Sequence, residues 1–104
     1  LDDRRFALRW AEAAVEAGRG FGPRLRFELS RRGIEAEIVN DVLATIDNEH
    51  DEENTLATLV TTKFPAFDPH RADERERRRM MHYLQRRGFS YGAISRFFRT
   101  FQGD

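Results

Sequence analysis

Three groups of residues in this chain have types and spacing that could do chemistry. The first is a run of acids through the middle: Glu35, Glu37, Asp41, Asp47, Glu49, Asp51, Glu52 and Glu53. Two carboxylates in different environments can share general acid and base work, but no nucleophile or cofactor motif accompanies these, so they read as one solvated face able to meet a basic patch of a partner. The second is the histidines His50, His70 and His82, which lack metal-ligand spacing. With no His-Glu-x-x-His run and no cysteine in the chain, neither a metal site nor a cofactor is expected. The third is the arginines. Arg75, Arg77, Arg78, Arg79, Arg86 and Arg87 are the densest basic feature, and four of them on phosphates would give a log–log salt slope of about −3. That is weak contact without sequence reading, and a solvated helix face is the bland reading of the same residues.

Two further motifs invite and lose a chemical reading. Gly20, Phe21 and Gly22 precede a helix, but no strand leads into them and neither phosphate-loop pattern is present, so they mark a helix start. Tyr91, Phe97, Phe98 and Phe101, beside Arg96 and Arg99, resemble a base-stacking platform. Their helical spacing argues for a core instead, each buried Phe contributing ~1.5 to 3 kcal/mol.

The elements that must position these residues are helices. Asp2 or Asp3 caps a first one, with Phe6, Ala7, Trp10, Ala13, Ala14 and Ala17 inward and Gly18 at its end. Pro23 suits the first position of a second helix, which runs to about Arg32 and carries Leu25 and Leu29. Gly33 then takes a left-handed stop and Ile34 folds back on Leu29. A third helix covers 36–47, its inner side Ile38, Val39, Val42, Leu43 and Ile46.

The same hairpin then recurs. Residues 24–43 align without a gap on residues 79–98, so that Leu29 meets Leu84, Gly33 meets Gly88, Ile34 meets Phe89 and Val39 meets Ile94. In the second copy Ser90 is an N-cap and Phe89 with Ile94 a hydrophobic staple, with Phe97 further along the inner face. A helix over 52–64, with Leu56, Leu59, Val60 and Phe64 inward, opens this copy, and Pro65 stops it. The connection of about 65–72 should be mobile. The expected fold class is therefore all-α: tandem three-helix repeats at 1–48 and 49–104 that stack on each other, because a unit of this size buries too little alone.

Net charge is zero, yet residues 1–34 carry +3, residues 35–70 carry −8 and residues 71–104 carry +5. The molecule thus presents both signs at once, which suits a partner of mixed charge better than a uniform polyanion. All but one of the 18 basic residues are Arg, whose planar fork favours specific docking on carboxylate or phosphate. No apolar run exceeds three residues, as at Ala13 to Val15, so no membrane segment is expected, and the cytoplasm is the expected compartment.

The runs Leu1-Asp2-Asp3-Arg4-Arg5-Phe6-Ala7, Gly22-Pro23-Arg24-Leu25-Arg26, Arg31-Arg32-Gly33-Ile34 and Arg86-Arg87-Gly88-Phe89-Ser90 together resemble the RecX family of recombination regulators. The resemblance spans nearly the whole chain. It implies an elongated, curved stack of three-helix repeats, without chemistry of its own, that lodges in the groove of a RecA filament and inhibits ATP hydrolysis and strand exchange, within DNA repair and the SOS response; separately, a monomer is expected. Families of this kind usually have three repeats; these match the second and third, and the first is expected to precede Leu1. On that resemblance the expected contact residues are Arg24, Arg31, Arg32, Arg78, Arg79, Arg86 and Arg87. The rival expectation is a module that binds single- or double-stranded DNA weakly through the same arginines. Phe6, Trp10, Leu25, Leu29, Gly33, Ile34, Leu84, Gly88, Phe89, Ile94 and Phe97 are the expected structural residues.

Overall fold

Asp2 accepts a hydrogen bond from the Arg5 backbone N–H at 3.1 Å and so starts the first of the six helices among the described residues. The computed structural model describes residues 2–102, with side chains over 2–100. The helices are α1 (Asp3–Glu16), α2 (Pro23–Arg31), α3 (Ala36–Glu49), α4 (Glu52–Lys63), α5 (Glu74–Arg86) and α6 (Tyr91–Gln102), and no strand occurs among the described residues. α1, α2 and α3 pack on one another, as do α4 with α6 and α5 with α6. The extents of 49 × 22 × 21 Å and radius of gyration of 14.9 Å, against about 13 Å for a compact chain of this length, make an elongated all-helical stack.

The two hairpins end as the repeated Arg-Arg-Gly requires. Ile34 N donates to Leu29 O at 3.2 Å and Gly33 N to Ser30 O at 3.0 Å; Phe89 N donates to Leu84 O at 3.1 Å and Gly88 N to Gln85 O at 3.0 Å. This nested pair of bonds satisfies carbonyls that a helix end otherwise leaves open, and it needs a left-handed residue, here Gly33 at φ +83° and Gly88 at φ +102°. At the start of α5, Asp73 and Glu76 form a reciprocal capping box, with Glu76 N to Asp73 at 2.8 Å and Asp73 N to Glu76 at 3.2 Å.

Among the described residues, twenty apolar ones close into one core that runs through both repeats. Leu25, Leu29, Val39 and Ile46 fill it in the first repeat, and Leu56, Leu84, Phe89, Ile94 and Phe97 in the second. Phe101 lies outside the described side chains. α1 departs from the expected register: Ala7, Ala11, Ala14 and Val15 are buried, whereas Phe6 is 51% exposed and Ala13 and Ala17 face solvent. The small side chains let α1 lie close on α3, and this turns the helix roughly a quarter turn from the stripe that its large residues suggest. Trp10, on the flank, is half-buried. Tyr91 is likewise not core; at the first position of α6 it is 65% exposed.

The connection expected to be mobile is tied down. Asp68 accepts from the backbones of His70, Arg71 and Ala72, and Arg77 donates to Pro69 O at 2.7 Å. Pro69 is buried and the Phe67 ring meets Phe98 edge-on at 6.1 Å. The dipeptides that keep this segment out of helix also let it fold back on α5 and α6.

The repeats join through backbone and side chains. Phe21 N donates to Arg87 O at 2.8 Å, the Phe21 and Phe89 rings stack at 5.5 Å, and Arg87 Nη1 donates to Arg19 O at 3.1 Å. Gly88 sits so close to the Gly20-to-Arg24 turn that a Cβ there would lie 1.8 Å from Phe21 O. Glu52 at the start of α4 accepts from Ser90 N at 2.8 Å and from Ser90 Oγ at 3.2 Å, while Ser90 Oγ itself accepts from Ala93 N at 3.1 Å. One cap thus holds two helices of the second repeat.

Candidate functional site

α2 places its arginines by helical spacing. Arg24 and Arg32 flank Glu28 one turn away on either side, at 2.7 and 3.0 Å, and Arg32 also donates to the Glu28 backbone carbonyl at 3.0 Å. The Arg32 hydrogen bond, assisted by the charges of Arg24 and Arg31, outweighs desolvation and holds the Glu28 carboxyl below the usual carboxylate range. The Arg32 guanidinium lies over the Trp10 ring at 4.4 Å, which ties α2 to α1. Between these groups and the joint lies a cleft of about 190 Å³ lined by Arg19, Arg24, Arg32 and Arg87, with Glu28 as its acid.

Of the seven arginines expected to contact a partner, the fold brings Arg24, Arg32 and Arg87 to this cleft. Each also has an internal task. Arg87 is half-buried, bonds across the joint and lies 5.7 Å over Tyr83, so its loss would disturb the fold as well as any contact. Arg31 stands outside the cleft beside Phe27, whose half-exposed ring is flanked by Arg24 at 5.5 Å and Arg31 at 5.8 Å.

Arg78, Arg79 and Arg86 form a second group on α5. At 100° per residue they share one stripe with Arg75 and His82, and all five are exposed. Met80 and Leu84 are buried on the opposite side, so core packing itself aims this stripe at solvent. Among the described residues only Arg78 of the five has an ion pair, a long 3.9 Å contact to Glu74, so most of the positive charge meets water alone. The seven arginines thus fall into an α2 and joint group and an α5 group.

The acidic middle is partly neutralised inside the molecule. Arg4 bonds Asp41, and Arg96 bonds Glu53 at 2.7 Å. Glu12, by contrast, is pushed above the usual carboxylate range by a hydrogen bond to Glu49, desolvation and the like charges of Glu49 and Glu16. No group of His, Asp or Glu among the described residues could hold a metal ion, and no described helix is long and apolar enough to cross a membrane. The residues that sequence reasoning missed are Arg19, Phe27 and Glu28, and for Glu52 it missed the bond to Ser90. Glu28 was findable from its spacing to Arg24 and Arg32; Arg19 and Glu52 act across turns that spacing does not reveal.

Residues 2–43 match the RecX second three-helix domain, and residues 51–98 match the RecX third three-helix domain. The order and the break between them coincide with α1–α3 and α4–α6. The chain belongs to the RecX family. It is 39% identical over 98 residues to the regulatory protein RecX of Trichlorobacter lovleyi and 34% identical to that of Syntrophotalea carbinolica, covering 94% of this chain and 64% of each relative. The regulatory protein RecX of Streptomyces coelicolor is 35% identical over 100 residues, 95% of this chain and 52% of that protein. This RecX-family chain therefore spans between about half and two thirds of the relatives it matches.

Proposed function

We propose that this RecX-family chain binds RecA filaments and inhibits their ATPase and strand-exchange activities without chemistry of its own. The repeats 1–48 and 49–104 act as successive docking units, and the cytoplasm is the compartment where the partner would be met. The supporting observation is the α5 stripe: Arg75, Arg78, Arg79, His82 and Arg86 exposed on a helix whose other side is locked into the core. A helix anchored in this way offers guanidinium forks at fixed spacing to carboxylates of a protein surface. Binding of the rigid stack on adjacent subunits would hinder the movement that turnover requires. Half-exposed Phe27 between Arg24 and Arg31 is the kind of aromatic anchor that concentrates interface energy.

The deciding experiment is RecA ATPase on single-stranded DNA with and without this chain. Inhibition that the triple charge reversal Arg78→Glu, Arg79→Glu, Arg86→Glu removes, with helicity intact, supports the reading. Undiminished inhibition by that variant refutes the assignment of the α5 face. A titration of labelled single-stranded DNA without RecA addresses the rival: tight binding with a steep salt slope favours a nucleic-acid module.

A further inference from the structure

α4 ends at Lys63, and Pro65 turns the chain so that Phe64 and Phe67 are laid beside α5. A groove of about 610 Å³ results, within the size range of sites that hold part of a ligand chain. Its floor is apolar: Phe64 meets Tyr83 edge-on at 5.0 Å, with Phe67 and the buried Met80 completing it. Its rim is basic. Lys63 comes from α4, and Arg79 and Arg86 come from α5; all three are exposed and none has an ion pair or side-chain hydrogen bond among the described residues. Glu76 is the one acid in the lining, and its carboxylate is already engaged with the Asp73 N–H.

We propose that this groove docks an acidic, amphipathic segment of a protein partner. An apolar floor has nothing to offer a phosphate backbone, while a purely apolar segment would bury three cations without counter-charge. Carboxylates over Lys63, Arg79 and Arg86, with Leu or Phe side chains on the floor, satisfy both. Base stacking is disfavoured because the Tyr83 ring is already met by Phe64 and by the Arg87 guanidinium. The inference rests on the regulatory reading only in taking a protein as the partner.

The test uses the full chain and fluorescence anisotropy of a labelled peptide in which Glu and Asp alternate with Leu and Phe. A matched peptide carrying Gln and Asn in place of the acids, and an oligothymidylate, are the other two probes. The acidic peptide should bind, and Arg79→Glu with Arg86→Glu should weaken it by about tenfold. Arg5→Glu with Arg9→Glu, the same charge change on exposed positions of α1, should change it by less than about twofold. Circular dichroism verifies that both variants fold. Absence of binding, equal binding of the acidic and amide peptides, or oligothymidylate binding that alone depends on Arg79 and Arg86 would overturn the proposal. RecA inhibition measured in parallel separates the two ideas: peptide binding without inhibition refutes the regulatory reading and leaves the groove, and inhibition without peptide binding does the reverse.

Discussion

Gly33 and Gly88 occupy equivalent places in the two repeats, and replacing each by Ala should have different consequences. Both have positive φ, +83° and +102°, so each substitution carries a backbone penalty of ~1–2 kcal/mol, offset by ~0.4–1 kcal/mol of reduced freedom in the unfolded chain. At Gly33 nothing lies within 4 Å of the new Cβ, and Gly33→Ala should therefore cost about 1 kcal/mol. At Gly88 the Cβ would meet Phe21 O at 1.8 Å and Arg24 N and Cβ at 2.9 Å. Two of these are backbone atoms, so the joint must open. Overpacking adds ~1–3 kcal/mol, loss of the Phe21-to-Arg87 bond about 1 kcal/mol, and disturbance of the Phe21–Phe89 stack a further ~0.5 kcal/mol. Gly88→Ala should thus cost about 3–5 kcal/mol, a large part of the ~5–15 kcal/mol that holds an ordinary domain together. Urea unfolding followed by circular dichroism measures both. Costs within ~0.5 kcal/mol of each other would show that the helix stop, and not the close approach, is what Gly88 serves.

Other expectations concern caps and carboxylates. Ser90→Ala removes the acceptor for Ala93 N and a donor to Glu52, and should cost about 1 kcal/mol in the same unfolding assay. Glu28 titrates below the ordinary carboxylate range when folded; its contribution is complete above the unfolded value and is lost as pH falls through the depressed one, so Glu28→Gln should flatten the acid limb of stability against pH. Glu12 has the opposite sign: its raised folded value means that repulsion by Glu49 and Glu16 builds up as pH rises through it. Glu12→Gln should accordingly stabilise the protein at neutral pH and give no gain once the pH falls below the ordinary carboxylate range, as thermal melts across pH will show.

The helices were readable because their ends carry residues with one job each. Pro23 opens α2, Gly33 and Gly88 close α2 and α5, and the gapless repeat of residues 24–43 at 79–98 identified the two hairpins as equivalents. Where large side chains and small ones competed, as on α1, periodicity pointed to Phe6 while close helix packing selected Ala7, Ala11 and Ala14. The segment of about 65–72 carries the turn residues Pro65, Asp68 and Pro69, and nothing local announces that Arg77 and Phe98 will hold it. The same limit applies to the site. Arg78, Arg79 and Arg86 were legible as an exposed stripe because α5 determines it alone, whereas the cleft of Arg19, Arg24, Arg32 and Arg87 depends on how one repeat meets the next.

That meeting is made of a main-chain bond, a ring stack, the half-buried Arg87 and a glycine with no room for a side chain, none of them an exposed arginine. Most of the exposed arginines can therefore be exchanged without altering the angle at which the halves lean on each other. A lineage could retune which protein surface it recognises by changing outer residues one at a time while the spacing of its two arms stays the same. Conversely, a change near Phe21 or Gly88 would move every outer residue of one arm at once, and selection acting on reach should be felt there first.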